Sequence, residues 1–223
     1  VAAELESATA KGEDLNKAVA KLLTKIAKQH KRIIFNGNNY SDDWQKEAAK
    51  RGLLNLRTSV DAYPELMKPD VLKAFEKYGV LNEREVRARY DVAIEQYNKT
   101  INIEAQLMVL MANRYILPAS FEYQGSLAET VAAVKAAGAT AKETRRSLDS
   151  LSALVDTFKV RVDALQALLE HDGAGDPEKH AKFFRDKVVP SMTELRETGD
   201  ALECVVPQNV WPLPTYREML FVR

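Results

Sequence analysis

The sequence predicts an all-α protein in three parts. These are short helices and loops in residues 1–80, an elongated antiparallel bundle of three to four long helices in residues 81–206, and a docked tail in residues 207–223. Glycine and proline number only nine and eight among 223 residues, and neither occurs between Asn82 and Pro118. Apolar side chains recur every three or four residues through most of the chain, which is the spacing of one helix face. Both observations favour helices over strands.

Composition excludes several classes of protein. The chain carries 32 basic and 32 acidic side chains, so it has no net charge to attract DNA or RNA, and we expect no nucleic-acid partner. A single cysteine, Cys204, excludes an internal disulfide and a cysteine-based zinc site, which favours a cytoplasmic location. The chain has neither an 18-residue apolar run nor an apolar leader, so we expect no membrane span and no secretory signal.

The first third of the chain predicts short helices separated by turns. Asp14 can cap a first amphipathic helix, and Ser41 can cap a second that ends at Gly52. Thr58 and Pro69 each stand where another short helical turn would begin. We therefore expect this region to be compact and irregular.

One long helix is predicted from Asn82 onward, because Asn82 and Glu85 form a capping-box pattern and no helix breaker follows before Pro118. At 1.5 Å per residue the run 83–117 spans about 50 Å, against about 45 Å for a compact sphere of this chain. We therefore expect an elongated molecule whose helix kinks at Pro118 and continues to Gly138. The predicted inward stripe comprises Val86, Tyr90, Ala93, Tyr97, Ile101, Met108, Met111, Tyr115, Tyr123, Leu127, Val131 and Val134.

Two further long helices complete the predicted bundle. Thr140 and Glu143 repeat the capping-box pattern, and the short connection before them permits only an antiparallel turn. The loop 171–175 reverses the chain again, after which Asp176 caps a helix that bends near Pro190. The inward side chains are Leu148, Leu151, Val155, Phe158, Val162, Leu165 and Leu169 in the first helix, and Phe184, Val188, Met192, Leu195 and Leu202 in the second.

No complete set of catalytic, cofactor-binding or metal-binding residues is evident in the sequence. His30, His171 and His180 stand at no metal-ligand spacing, and we interpret them as surface residues. The glycine turn in residues 35–40 lacks the further glycines of a dinucleotide-binding or phosphate-binding loop. Cys204 lies late in an amphipathic helix, where a buried structural thiol is expected.

Three features of the sequence allow more than one interpretation. Glu104 falls in the apolar stripe, either as a buried carboxylate with a proton-transfer role or, as we favour, in a salt bridge or at a solvated edge. The basic run in residues 25–32 could face phosphate, although a solvated helix end explains it more simply. Met108, Leu110 and Met111 could form an adaptable binding groove, but methionines at helical spacing are more often core.

Several blocks spread over nearly the whole chain resemble the C-terminal region of type III glutamine synthetases. The blocks are residues 31–44 (KRIIFNGNNYSDDW), 50–52, 55–58, 75–81, 97–105 (YNKTINIEA), 116–119 and 211–221 (WPLPTYREMLF). They occur in the order found in the family, whereas the intervening helices carry little of the resemblance. One departure is Leu54, where the family pattern has proline, so that turn loses some rigidity.

The resemblance implies a C-terminal structural and oligomerisation segment of an ATP-dependent ligase that joins ammonia to glutamate through γ-glutamyl phosphate. ATP and magnesium would bind the preceding domains, so no catalytic, cofactor-binding or metal residue is carried over to this chain. Residues 1–80 would pack on the preceding catalytic domain. The bundle and tail would contact sister subunits of a ring-type homo-oligomer, with Trp211, Tyr216, Met219 and Phe221 as anchors.

The competing hypothesis is a stand-alone helical-bundle adaptor or sensor. Such a protein would bind a helix of a partner protein in the groove around Met108 and Met111. A parent polypeptide several hundred residues longer would favour the ligase interpretation, whereas an adaptor should begin close to Val1.

Overall fold

The computed structural model describes residues 1–170 and 175–221, and every regular element in these residues is helical. The predicted all-α class is therefore confirmed. The chain divides into two compact units, residues 1–57 and residues 58–223. His171 and most of the loop predicted to reverse the chain lie outside the described residues.

The first unit consists of short helices, as the sequence predicts. They are α1 (Ala2–Ala10), α2 (Leu15–Gln29), a 3₁₀ turn (Lys31–Ile33) and α3 (Asp42–Lys50). The Asp14 carboxylate accepts a hydrogen bond of 3.1 Å from the backbone N–H of Lys17 and so caps α2. Ser41 precedes α3 but donates its hydroxyl to the Asn38 carbonyl instead of capping the helix. Gly52 ends that segment with a φ of +71°, which favours glycine.

The second unit opens with short helices that pack on a longer one. These are α4 (Ser59–Ala62), a 3₁₀ turn (Tyr63–Met67) and α5 (Pro69–Lys77). The Thr58 hydroxyl caps α4 by accepting from the backbone N–H of Asp61. Val60 of α4, only 2% exposed, forms a small core cluster with Tyr90 and Ile94. Residues 58–80 therefore share a core with the helix that follows them.

The rest of the second unit is built mainly from long helices. Its elements are α6 (Glu83–Met111), a π-helical turn (Ala112–Ile116), α7 (Leu117–Ala136), α8 (Lys142–Leu169), the short α9 (Pro177–Phe183), a second π-helical turn (Phe184–Val188), α10 (Val189–Glu203) and the short α11 (Tyr216–Leu220). The capping box at Asn82 and Glu85 is confirmed, with both reciprocal hydrogen bonds present. Asp176 also caps α9 as predicted, accepting from two backbone N–H groups.

The predicted capping box at Thr140 and Glu143 is wrong. Helix α8 begins at Lys142, its N-cap position is Ala141, and no side chain caps it. Gly138 ends the preceding helix with a φ of +80°. The turn therefore extends past Thr140, and this residue lies too early in the chain to cap α8.

The two prolines that lie inside the long helical segments each follow a π-helical turn. Pro118 and Pro190 each stand at the second residue of the α-helix that succeeds such a turn. Proline has no N–H group and its ring crowds the carbonyl four residues earlier, so an ordinary α-helical turn cannot be completed there. The wider turns let the helices run through both prolines, from Glu83 to Ala136 and from Pro177 to Glu203.

The main core lies around α8. This helix packs along α7 and α10 and also contacts α6. Phe158, Val162 and Leu165 of α8 are at most 1% exposed. Of the predicted inward side chains of this helix, all except the half-buried Leu148 belong to the core cluster or pack against it. The antiparallel direction of the helices stays a prediction. No helix in residues 1–170 and 175–221 is long and apolar enough to cross a membrane.

Candidate contact surfaces

Arg51 organises the loop that follows α2 in the first unit. Its guanidinium Nη1 donates to the backbone carbonyls of Arg32 (3.2 Å) and Ile34 (2.6 Å), and its Nε donates to Glu47 Oε1 (2.8 Å). The same guanidinium lies 5.7 Å from the ring centroid of Trp44. Charge-assisted hydrogen bonds and a cation–π contact are among the stronger side-chain interactions, so the loop has a defined position beside α3.

An aromatic pair fixes the next part of this loop. The rings of Phe35 and Trp44 lie 4.7 Å apart between centroids. A Cβ at Gly37 would come within 2.7 Å of Phe35 Cε1, so a larger residue here would force the Phe35 ring to shift. We refer to Arg51 with these rings and the carbonyls it binds as the Arg51 clamp.

Large apolar side chains next to the Arg51 clamp face solvent. Those with exposed side chains are Ile33, Ile34, Tyr40, Leu54 and Leu56. All of them fall within or beside the blocks that resemble the glutamine synthetase family. A rigid loop with this much exposed apolar surface is typical of a contact with another protein surface. We call these five residues the N-terminal apolar surface.

The first half of the C-terminal tail docks on its own bundle. Trp211 is only 9% exposed and belongs to the main core cluster, together with Val206. Val210 and Leu213 are half-buried against the same cluster. Of the four predicted anchors, Trp211 therefore packs within the chain.

The second half of the tail exposes the other predicted anchors. Helix α11 carries a capping box at Thr215 and Glu218, and the hydrogen bonds from the Thr215 backbone and side chain lower the pKa of Glu218. Tyr216 is 82% exposed, Phe221 is 71% exposed, and Met219 is also exposed. We call these three residues the tail-end surface.

The candidate chemical groups are dispersed. His30 is exposed as predicted, while His180 is half-buried and stacks on Phe184 with 4.4 Å between ring centroids. Glu104 is exposed, so the solvated alternative is correct and the buried carboxylate is wrong. Cys204 is exposed, and its prediction as a buried thiol is also wrong. It follows directly after α10, and the side chains buried on either side of it are Leu202 and Val206.

Two residues of the basic run 25–32 contact other residues of the first unit, one through its side chain and one through its backbone. Lys25 forms an ion pair with Glu4 of α1. The backbone carbonyl of Arg32 accepts from Arg51. Within residues 1–170 and 175–221, no group of three or more His, Cys, Asp or Glu side chains could hold a metal ion.

The sequence patterns did not predict the contacts of Arg185 and Tyr90. Arg185 pairs with Asp61 across 124 residues of sequence and with its neighbour Asp186, and the latter hydrogen bond lowers the pKa of Asp186. The Tyr90 hydroxyl donates to Glu178, and burial raises the pKa of Tyr90. No local pattern marks such long-range pairs. The Arg51 clamp was also missed, although Lys50, Arg51 and Gly52 stand in one of the resembling blocks.

The fold is that of an all-helical domain with two exposed apolar surfaces. The family model described as glutamine synthetase C-terminal domain matches residues 18–135, just over half of the chain. The chain therefore belongs to the glutamine synthetase C-terminal domain family.

Individual relatives extend the match over nearly the whole chain. A type-3 glutamine synthetase of Dictyostelium discoideum is 32% identical over 92% of this chain and 29% of its own length. A glutamine synthetase of Butyrivibrio fibrisolvens is 30% identical over 94% of this chain and 30% of its own length. One from Bacteroides fragilis strain YCH46 is 27% identical over 99% and 31%. The chain thus spans less than one third of each relative.

Proposed function

We propose that the chain is the C-terminal structural and oligomerisation segment of a cytoplasmic glutamine synthetase. The parent enzyme would ligate ammonia to glutamate with ATP. The proposal rests on the family match over residues 18–135, together with relatives named glutamine synthetase of which the matched region covers only 29–31%.

The chemistry would lie in the part of the parent that corresponds to the unmatched length of these relatives. ATP and magnesium would bind that catalytic part, and this chain would position the catalytic domain and its neighbours.

Two surfaces support a role in assembly. The N-terminal apolar surface would pack on the preceding catalytic domain, because the Arg51 clamp already holds it in one conformation and association then costs little ordering entropy. The tail-end surface would contact sister subunits of a ring-type homo-oligomer. Exposed aromatic and methionine side chains are enriched in such interfaces.

Comparing the full-length parent with the 223-residue chain tests whether catalysis lies outside this segment. We expect the full-length parent to form glutamine from glutamate, ammonia and magnesium–ATP, and the 223-residue chain alone to form none. Turnover by the 223-residue chain would contradict the proposal. The intact mass of the parent measured from its source should also exceed that of this chain about threefold, whereas an adaptor would have nearly the same mass.

A triple variant of the parent tests the role of the tail. Replacing Tyr216, Met219 and Phe221 by serine should leave the second unit folded, because all three side chains are exposed. We expect sedimentation velocity to show smaller assemblies. Serine at the exposed Val160 of α8 provides a matched control that should keep the assembly size. Unchanged assemblies in the triple variant would exclude the tail-end surface as a subunit contact.

A further inference from the structure

The loop that precedes α3 contains the dipeptide Asn36-Gly37, and both residues face solvent. Within residues 1–170 and 175–221, neither the Asn36 carboxamide nor the Gly37 N–H takes part in a hydrogen bond. Glycine has no Cβ, so nothing on Gly37 itself hinders the approach of its nitrogen to the side-chain carbonyl carbon of Asn36. The two groups that react when an asparagine deamidates are therefore accessible and unrestrained here.

One hydrogen bond restrains the other two asparagines of this loop. Asn38 Oδ1 accepts from the backbone N–H of Tyr40 at 3.0 Å, which holds the Asn38 side chain in a local turn. The donor of this bond is the nitrogen that would have to attack Asn39, and it belongs to a bulky residue. The structure therefore distinguishes Asn36 from Asn38 and Asn39, although all three share one loop.

The packing of the aromatic pair favours glycine after Asn36. The Phe35 ring lies so close to Gly37 that an added Cβ would come within 2.7 Å of Phe35 Cε1. A larger residue would hinder attack on Asn36, but it would also force the Phe35 ring to shift beside Trp44, which lies 4.7 Å away between ring centroids. The contact that positions this loop thus keeps Asn36 open to deamidation.

The loop is fixed on both sides of Asn36. Before it, the Ile34 carbonyl accepts from Arg51 Nη1 at 2.6 Å. After it, the Asn38 carbonyl accepts from the hydroxyl of Ser41 at 2.7 Å. Deamidation produces isoaspartate as well as aspartate, and isoaspartate lengthens the backbone by one carbon–carbon bond, about 1.5 Å. This extra length must be taken up between the two anchored carbonyls, within the Arg51 clamp.

We propose that Asn36 is a site of spontaneous deamidation that loosens the Arg51 clamp. The Gly37 nitrogen forms a bond to Asn36 Cγ and loses its proton, the Cγ–Nδ2 bond breaks, and ammonia leaves with that proton. Water then opens the succinimide at one of its two carbonyls and gives aspartate or isoaspartate, each with a new carboxylate. The reaction needs only water, so the inference stands whether or not the parent is a ligase.

Incubation of the 223-residue chain in mildly alkaline buffer tests the site, because the attacking nitrogen must lose its proton. Trypsin then releases residues 33–46, which contain all three asparagines, and tandem mass spectrometry locates the conversion of amide to acid. We expect Asn36 to convert several times faster than Asn38 or Asn39. Isoaspartyl methyltransferase with S-adenosylmethionine should methylate the product. A sample digested before incubation corrects for conversion during digestion.

The free peptide 33–46 is the unfolded reference. Asn36 should react at nearly the same rate in the peptide and in the folded chain, because the fold leaves its side chain and the next N–H unbonded. Asn38 should react faster in the peptide, where its hydrogen bond to Tyr40 is lost. A folded chain in which Asn36 reacts many times more slowly than in the peptide would overturn the proposal.

Brief trypsin digestion of the native chain tests whether the clamp loosens. Trypsin binds a free guanidinium, and Arg51 is held by its hydrogen bonds, so cleavage after Arg51 should become several times faster once isoaspartate has formed. Cleavage after Arg145 in α8 should not change. Asn36→Gln is the matched control, because residue 36 is exposed and the longer side chain cyclises slowly, so incubation should leave its digestion unchanged. Unchanged cleavage after Arg51 in a converted wild-type chain would overturn the loosening of the clamp.

Discussion

The two units of the chain are stabilised in different ways. In the first unit the buried apolar side chains are Ala18, Leu22 and Ala48, and neither of the apolar core clusters includes a residue of this unit. In the second unit a continuous core surrounds Phe158 and Val162 of α8. We therefore expect the second unit to be stabilised mainly by its own core. The first unit has less buried apolar surface, and we expect the Arg51 clamp to contribute a larger share of its stability.

Each unit contains one tryptophan, so the comparison can be measured directly. Trp44 lies beside the Arg51 clamp and Trp211 lies in the main core. The fluorescence of Trp211 in a Trp44→Phe background reports on the second unit. The fluorescence of Trp44 in a Trp211→Phe background reports on the first.

The largest expected effect is in the second unit. Phe158→Ala removes a ring that is 1% exposed at the centre of the core, so we expect the free energy of unfolding to fall by about 3–5 kcal/mol. Urea denaturation followed by Trp211 fluorescence measures this loss, while the Trp44 transition should not change. Val160→Ala, on the exposed side of the same helix, should cost no more than about 0.5 kcal/mol. Equal losses at the two positions would show that α8 is not the centre of the core.

A smaller effect is expected in the first unit. Arg51→Ala removes three hydrogen bonds and the contact with Trp44, so we expect a loss of about 1–3 kcal/mol in the stability of this unit. The Trp44 transition measures it and the Trp211 transition should not move. Lys50→Ala is the neighbouring control, because the Lys50 ammonium is well exposed and lies 4.0 Å from Glu47. If Lys50→Ala had the same effect, the clamp would not be what holds the loop.

The smallest expected effect is a dependence on pH. The hydrogen bond from Arg51 lowers the pKa of Glu47 below its ordinary value of 4.5. The charged carboxylate is thus favoured in the folded unit, and its contribution is complete above pH 4.5 and lost as the pH falls through the lowered pKa. Glu47→Gln should destabilise the first unit at neutral pH, and this difference should vanish in acid. A difference that grew in acid would mean that the shift has the opposite sign.

Local sequence patterns predicted the helix starts well. Asp14, Asn82 and Asp176 cap the helices expected of them, because a capping hydrogen bond joins residues only two or three positions apart. The inward face of α8 was also correct from Leu151 to Leu169, since one unbroken helix keeps the 3.6-residue period.

Two local predictions failed, namely the caps at Ser41 and Thr140. Other errors lie where the helical period changes or where distant residues meet. Tyr115 was expected inward, but the π-helical turn adds a residue to the first long helix, so Ile116 and Leu117 take the inner positions and Tyr115 is exposed. The Arg51 clamp and the Arg185 pair with Asp61 join residues far apart in sequence, which no local pattern reveals. The sequence could not show that Trp211 is buried while the other three predicted anchors are exposed, because burial depends on where the chain turns after Pro207.

The two π-helical turns constrain chain length more than side-chain identity. Each contains one residue more than α-helical geometry would require at that point. A single deletion within Ala112–Ile116 would restore an ordinary α-helical turn and leave the orientation of α7 about its axis nearly unchanged. Pro118 would then crowd the backbone carbonyl four residues earlier, which the wider turn avoids. Insertions and deletions should accordingly be rarer in these two segments of the family than in the loop 53–58.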